Sequence, residues 1–247
     1  NGELFVGSDA IALAPMTDRI TYLDEGDWAI ITRNSLEIRD AAGNLANRDL
    51  RQIHIDAAQV DKGGYKHFMA KEIAEQPQVL QGALNHYINA DATGMAMPDG
   101  LDFTQVNRLT MVACGTAFYA CMVAKYWFEQ LAGLPVEVDV ASEFRYREPP
   151  VTDGTMAIFV SQSGETADTL AALRYMAGKA MQIVSVVNVP ESSIARESDI
   201  ALPILAGVEI GVASTKAFTC QLTTLAALVL HAARQRGRID DTALAGK

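Results

Sequence analysis

The rhythm of apolar and polar positions changes once along the chain. From Leu4 to about Ile55 the runs LFVGSD, RITYLD, WAIITR and LEIRDAAGNL are short and separated by Gly or Asp turns, which predicts strands of an antiparallel sheet. The stretch DKGGYKHFMAKEIAEQP, Asp61 to Pro77, is polar and charged with paired glycines and reads as a connecting segment. Beyond Pro77, strand and helix take turns. A helix near Gln78 to Asn89 precedes the strand LTMVA and a helix near Phe118 to Leu131. VEVDV follows, then MAIFV with a helix to about Met176, then IVSVV, IALPIL and a long helix from about Thr215 to Arg234. Short β-branched runs separated by helices predict an α/β fold, a parallel sheet covered on both faces.

Open sheets of this kind bind ligands beyond the carboxyl ends of their strands, near a switch in strand order. Three loops rich in small residues fall there: CGTAF after LTMVA, SQSGETADT after MAIFV, and EIGVASTKAF before the last helix. A helix N-terminus exposes about four unpaired N–H groups and about half a positive charge, a ready site for an anion. Ser161, Ser163 and Thr166 add hydroxyls there, and Gly164 lets the backbone curl closely. Capping of the helix explains one hydroxyl, not several, so the loop reads as a phosphate cradle. Neither G-x-x-x-x-G-K-[ST] nor a G-x-G-x-x-G opening the first helix is found, and no lysine lies inside the cradle, which suits a monophosphate.

Composition narrows the setting. The chain has 247 residues, 49% of them apolar, enough for one large or two smaller cores. Its formal charge of -10 disfavours nucleic-acid binding, which draws on Lys and Arg neutralising phosphates. No apolar run approaches the ~20 residues of a membrane span, and the opening NGELFVGSDA lacks the features of a secretory signal. Three cysteines without a C-x-x-C pair argue against disulfides or zinc, and with the missing signal they suggest a cytoplasmic protein.

Other residues invite plainer readings. Cys114 is expected to be a small wall of the pocket, since no histidine neighbours it in sequence. Lys216, a cation in a first helical turn, is a candidate for ligand or interface contact. Arg145 and Arg147 are either solvated or paired across a subunit contact. The four histidines show no metal spacing, and Met122, Tyr126 and Trp127 fall at helical spacing and are expected in the core.

CGTAF, SQSGETADT and EIGVASTKAF together resemble the SIS (sugar isomerase) fold. Adding DKGGYKHFMAKEIAEQP, YWFEQLAGLPVEV, ASEFRYRE and SSIARESDIAL, residues 61 to 230 resemble the glutamine:fructose-6-phosphate aminotransferase (glucosamine-6-phosphate synthase) family. The resemblance implies three segments. Residues 1–60 match the end of an N-terminal-nucleophile glutaminase domain, 61–76 a linker, and 77–247 the first SIS sugar-phosphate-binding subdomain. It implies that Ser161, Gln162, Ser163 and Thr166 hold the phosphate, that Thr116 contacts the sugar beside Cys114 and Gly115, and that Val212 and Ser214 line the sugar end. Ala117 stands where many relatives carry serine.

The resemblance further implies fructose 6-phosphate or glucosamine 6-phosphate as ligand, a homodimer, and no metal or organic cofactor. The family's acid–base groups lie in segments not matched here, so no catalytic residue is assigned and the chain alone is expected to bind without turnover. An alternative is a regulatory module that senses a sugar phosphate. It calls for a helix-turn-helix with a basic face, whereas residues 1–60 read as strands.

Overall fold

The computed structural model describes residues 3–7, 13, 16–33, 35–52, 61–89 and 94–240. The chain divides into two units, Asn1–Gly64 and Tyr65–Lys247. In the first, β1 (Arg19–Thr21) pairs antiparallel with β4 (Leu50–Gln52), and β2 (Trp28–Ile31) with β3 (Leu36–Arg39). Arg48 clamps Asp27 with two hydrogen bonds of 2.7 and 2.8 Å. The antiparallel expectation holds for these strands, while LFVGSD is not strand over Leu4–Gly7 and its last residues lie outside the described ones.

The second unit opens with helix α1 (Phe68–Tyr87), so most of the stretch read as a connecting segment is helical. Pro77 lies inside this helix. Its missing N–H leaves the carbonyl of Ile73 without the usual donor. The Gln76 side chain supplies one, Nε2 donating to Ile73 O at 3.3 Å. A proline therefore gave a false helix start at Gln78 because the preceding side chain repairs the broken ladder.

Strand and helix then alternate through β5 (Arg108–Ala113), α2 (Gly115–Trp127), β6 (Val136–Val140), α3 (Ala141–Arg147), β7 (Thr155–Ser161), α4 (Ala167–Met176), β8 (Gln182–Val187), α5 (Ser193–Arg196), β9 (Ile200–Pro203) and α6 (Lys216–Gln235). Helix α2 continues as a π-helical turn, Phe128–Ala132, that Gly133 ends at φ 63°. All five strands are parallel, in the order β6-β5-β7-β8-β9.

Because strand side chains alternate faces, each strand feeds two cores. Leu109, Met111, Met156, Ile158, Val184 and Val186 pack with α1, α2 and α6 on one face. Val112, Ala157, Phe159, Ile183 and Val187 pack with α3, α4 and α5 on the other. Two expected core residues differ: Met122 and Tyr126 are exposed, and of that trio only Trp127 packs on the core. Their spacing follows the helix period, but the apolar stripe of α2 that meets the sheet is made by Ala117, Ala120, Cys121 and Ala124.

Candidate functional site

The order β6-β5-β7 places the switch of the doubly wound sheet between β5 and β7, whose registered partners Ala113 and Val160 sit at their carboxyl ends. The segments there, Cys114–Thr116 opening α2 and Ser161–Thr166 leading from β7 to α4, are therefore brought together. Cys114 is half-buried, with the Thr169 hydroxyl 4.0 Å from its sulfur, while Gly115 and Thr116 are exposed. Gly115 adopts φ 58°, which a side chain would disfavour.

Within the second loop the hydroxyls first shape the turn. Ser161 Oγ accepts the Gly164 N–H at 3.0 Å and lies 3.0 Å from Thr166 Oγ1. Ser163 Oγ accepts the Glu165 N–H at 3.1 Å. Each hydroxyl has one O–H and two lone pairs, so Ser163 keeps its proton to donate and the Ser161–Thr166 pair keeps one. Gly164 has φ 68°, and a Cβ there would sit 1.9 Å from Ser192 Oγ. Its carbonyl accepts the Ile194 N–H at 3.0 Å, and Glu165 Oε1 accepts the Ser193 N–H at 2.7 Å, so residues 192–194 brace the turn.

Two helix starts at this edge of the sheet differ in occupancy. Thr166 at the start of α4 makes no side-chain capping bond. At α6 the Glu209 carboxylate fills the corresponding place: Oε1 accepts the N–H groups of Thr215 and Ala217 at 2.9 and 3.2 Å, and Oε2 takes the Ser214 hydroxyl at 3.3 Å. The N–H groups at the start of α6 are thus taken up by a carboxylate from within the chain, whereas the start of α4 has no side-chain capping bond. Asp168, in the first turn of α4, is paired with Arg145 at 2.8 Å.

Val212 and Ser214 lie in the loop after β9, two strands from β7. Val212 is fully exposed, and the Ser214 hydroxyl is engaged by Glu209. What joins this loop to the cradle is Asn188, at the end of β8. Its N–H donates to Gln162 O at 3.1 Å, its Nδ2 to Gly207 O at 2.7 Å, and its Oδ1 accepts the Ala206 N–H at 2.9 Å. With Gly115, Thr116 and Val212 exposed, the site is an open ledge, and hollows beside Arg108 and Pro149 and beside Gly133 and Arg236 are lined by other residues.

The remaining candidates resolve into structure. Lys216 is 4% exposed and its Nζ donates to Glu75 at 2.7 Å, so this cation is matched within the chain. Arg147 pairs with Asp139. Burial lowers the pKa of His231 and pushes the Cys220 thiol up to about 11, neither group being near the cradle by any hydrogen bond. Among the described residues no group of His, Cys, Asp and Glu has the arrangement of a metal site, and no helix is long and apolar enough to cross a membrane.

Asn188, Ser192, Glu72 and Glu209 were not singled out from sequence. Asn188 follows an apolar strand directly, so the rule that sites gather at strand ends marks it. Ser192 and Glu72 act across long separations and leave no local signal.

Against known families, residues 102–231 match the SIS domain. The chain is 57% identical over 242 residues to a glutamine–fructose-6-phosphate aminotransferase (isomerizing) from Bradyrhizobium diazoefficiens, and 56% identical over 242 residues to one from Brucella abortus. Both alignments take in 97% of this chain and 40% of the relative, so the chain spans well under half the length of these curated relatives. The C-terminal domain of glucosamine-fructose-6-phosphate aminotransferase from Francisella tularensis superposes with a TM-score of 0.71 at 44% identity, covering 75% of this chain and 53% of that one. With the five-stranded parallel sheet, its flanking helices and the matched span of residues 102–231 in agreement, the chain belongs to the SIS domain family.

Proposed function

We propose that the unit from Tyr65 onward binds a hexose 6-phosphate and serves the conversion of fructose 6-phosphate and glutamine to glucosamine 6-phosphate and glutamate. The phosphate lies at Ser161, Gln162, Ser163 and Thr166, and the sugar extends past Cys114, Gly115 and Thr116 toward Val212 and Ser214. The observation that carries this reading is the uncapped start of α4, set at the sheet's switch point and ringed by hydroxyls that keep protons to donate. The names of the similar proteins supply the substrate.

In this reading the chain positions the ligand, and proton transfer is done by groups outside the ledge. The residues gathered here are hydroxyls, amides and small side chains, and the nearby carboxylate of Glu209 is occupied by backbone N–H groups. A positioned acid or base supplies roughly 10²–10⁴-fold of rate, and the carboxylate within the loop, Glu165, braces the turn by accepting the Ser193 N–H. The β-strands of the first unit correspond to the end of a glutaminase domain, and the assembly is a cytoplasmic homodimer.

Calorimetric titration with fructose 6-phosphate tests the reading. The wild-type chain is expected to bind and to release no glucosamine 6-phosphate when ammonia is supplied. Ser163→Ala is expected to lose roughly 1–2 kcal/mol, as for a hydrogen bond to a charged oxygen. Absence of binding by the wild type, or undiminished binding by Ser163→Ala and Thr166→Ala, would refute the placement.

A further inference from the structure

We infer that Glu72, on helix α1, is a positioning residue that holds the loop after β9 in its ligand-ready place and so sets the affinity for the sugar part of the ligand. The inference rests on the sugar-phosphate reading above. Glu72 is 2% exposed, and one oxygen, Oε1, accepts the N–H groups of both Ile210 and Gly211, at 2.7 and 2.9 Å. These two residues immediately precede the exposed Val212. Its other oxygen, Oε2, is buried with no hydrogen-bond partner among the described residues. A carboxylate taken out of water and only half satisfied is costly, so its two bonds to one loop are a specific constraint and not generic packing.

Gly211 completes the lock. A Cβ at this position would sit 2.5 Å from Glu72 Oε2, so the carboxylate and the loop backbone meet where a side chain would lie. The loop is otherwise irregular from Gly207 to Ser214. It is held at its start by Asn188, through Ala206 and Gly207, and at its end by Glu209, through Thr215 and Ala217. Glu72 alone reaches its middle from another element among the described hydrogen bonds. Without it, a segment of five or more residues tethered only at its ends is free to sample many conformations, and ordering it on binding weakens affinity.

Apart from the Asn188 link, which meets the β9 loop only at its start, the phosphate cradle is braced by its own contacts, through Ser161, Ser192–Ile194 and Gly164. Loosening the β9 loop therefore affects the sugar and not the phosphate. The test titrates the full chain with fructose 6-phosphate and, separately, with inorganic phosphate, and follows amide hydrogen exchange at Ile210 and Gly211. Glu72→Ala is expected to speed exchange at both amides and to weaken fructose 6-phosphate about tenfold, the loss of about one charge-assisted bond's worth of ordering, while inorganic phosphate changes less than about twofold. Glu72→Gln keeps a carbonyl oxygen for the two N–H groups and is expected to restore most of the sugar affinity. Gly211→Ala approaches the lock from the loop side and gives the same selective loss should Glu72→Ala fail to fold. A wild type that binds both probes in a ratio that neither Glu72→Ala nor Gly211→Ala moves overturns the inference alone. A wild type that binds neither overturns the sugar-phosphate reading and this inference with it.

Discussion

Gly164→Ala is the sharpest single perturbation of the cradle. At φ 68° an L-residue meets its own carbonyl, which costs about 1–2 kcal/mol. The added Cβ also lands 1.9 Å from Ser192 Oγ and 2.5 Å from Ser192 Cβ, both on a buried residue that cannot swing into solvent. Forcing a methyl into such a place costs about 1–3 kcal/mol more. Together the substitution destabilises the unit by roughly 2–5 kcal/mol. With a urea slope of about 2–3 kcal/mol/M, the unfolding midpoint falls by about 0.7–2.5 M, read from the helical circular dichroism that α1 to α6 dominate. Replacing Ser192 by Gly removes the colliding atoms and leaves the backbone strain. The double variant is therefore expected to recover the steric part, appearing as a coupling energy of about 1–3 kcal/mol in a double-mutant cycle. Phosphate affinity follows the backbone strain and stays low in both. A single variant within about 0.5 kcal/mol of wild type, or a cycle without coupling, would refute the account of why this position is glycine.

Cys114 is half-buried at the ledge whereas Cys121 and Cys220 are buried, so brief iodoacetamide treatment is expected to modify Cys114 first and fructose 6-phosphate to slow it; equal labelling of all three with ligand present would contradict the site. His231, with its pKa lowered by burial, binds fewer protons folded than unfolded between its depressed pKa and the unfolded value near 6.5. Its stabilisation is therefore complete above about pH 6.5 and lost as pH falls through the folded pKa, so His231→Gln should flatten the dependence of the urea midpoint on pH below about pH 6.5, and an unchanged slope would count against it.

The parallel sheet and the two loops at its switch point were legible because they are local. LTMVA and MAIFV end in CGT and SQSGET, and the strand-end rule needs no further information. The start of α1 was not, since Pro77 is a strong stop signal and its remedy, the Gln76 amide on Ile73, depends on a side-chain rotamer. Nor was the division of labour among hydroxyls. From sequence, Ser161, Ser163 and Thr166 all pointed to the ligand, whereas two of the oxygens are first used to accept N–H groups of the turn itself. Lys216 looked like a free cation at a helix start, but Glu75, 141 residues earlier, neutralises it. Pairings across such distances carry no periodic signature.

That same separation has a consequence for synthesis. Glu72 emerges from the ribosome 138 residues before Ile210, the first of its two partners. At about 5–20 residues per second, roughly 7–30 s pass before the lock can close. Until then the carboxylate stays hydrated, and burying it early without its N–H partners would cost several kcal/mol. The first helix of this unit to be made therefore reaches its final environment only once the loop after β9 has been translated. Ribosome-bound chains stopped before Ile210 should hold α1 exposed to proteases while the earlier strands are already paired.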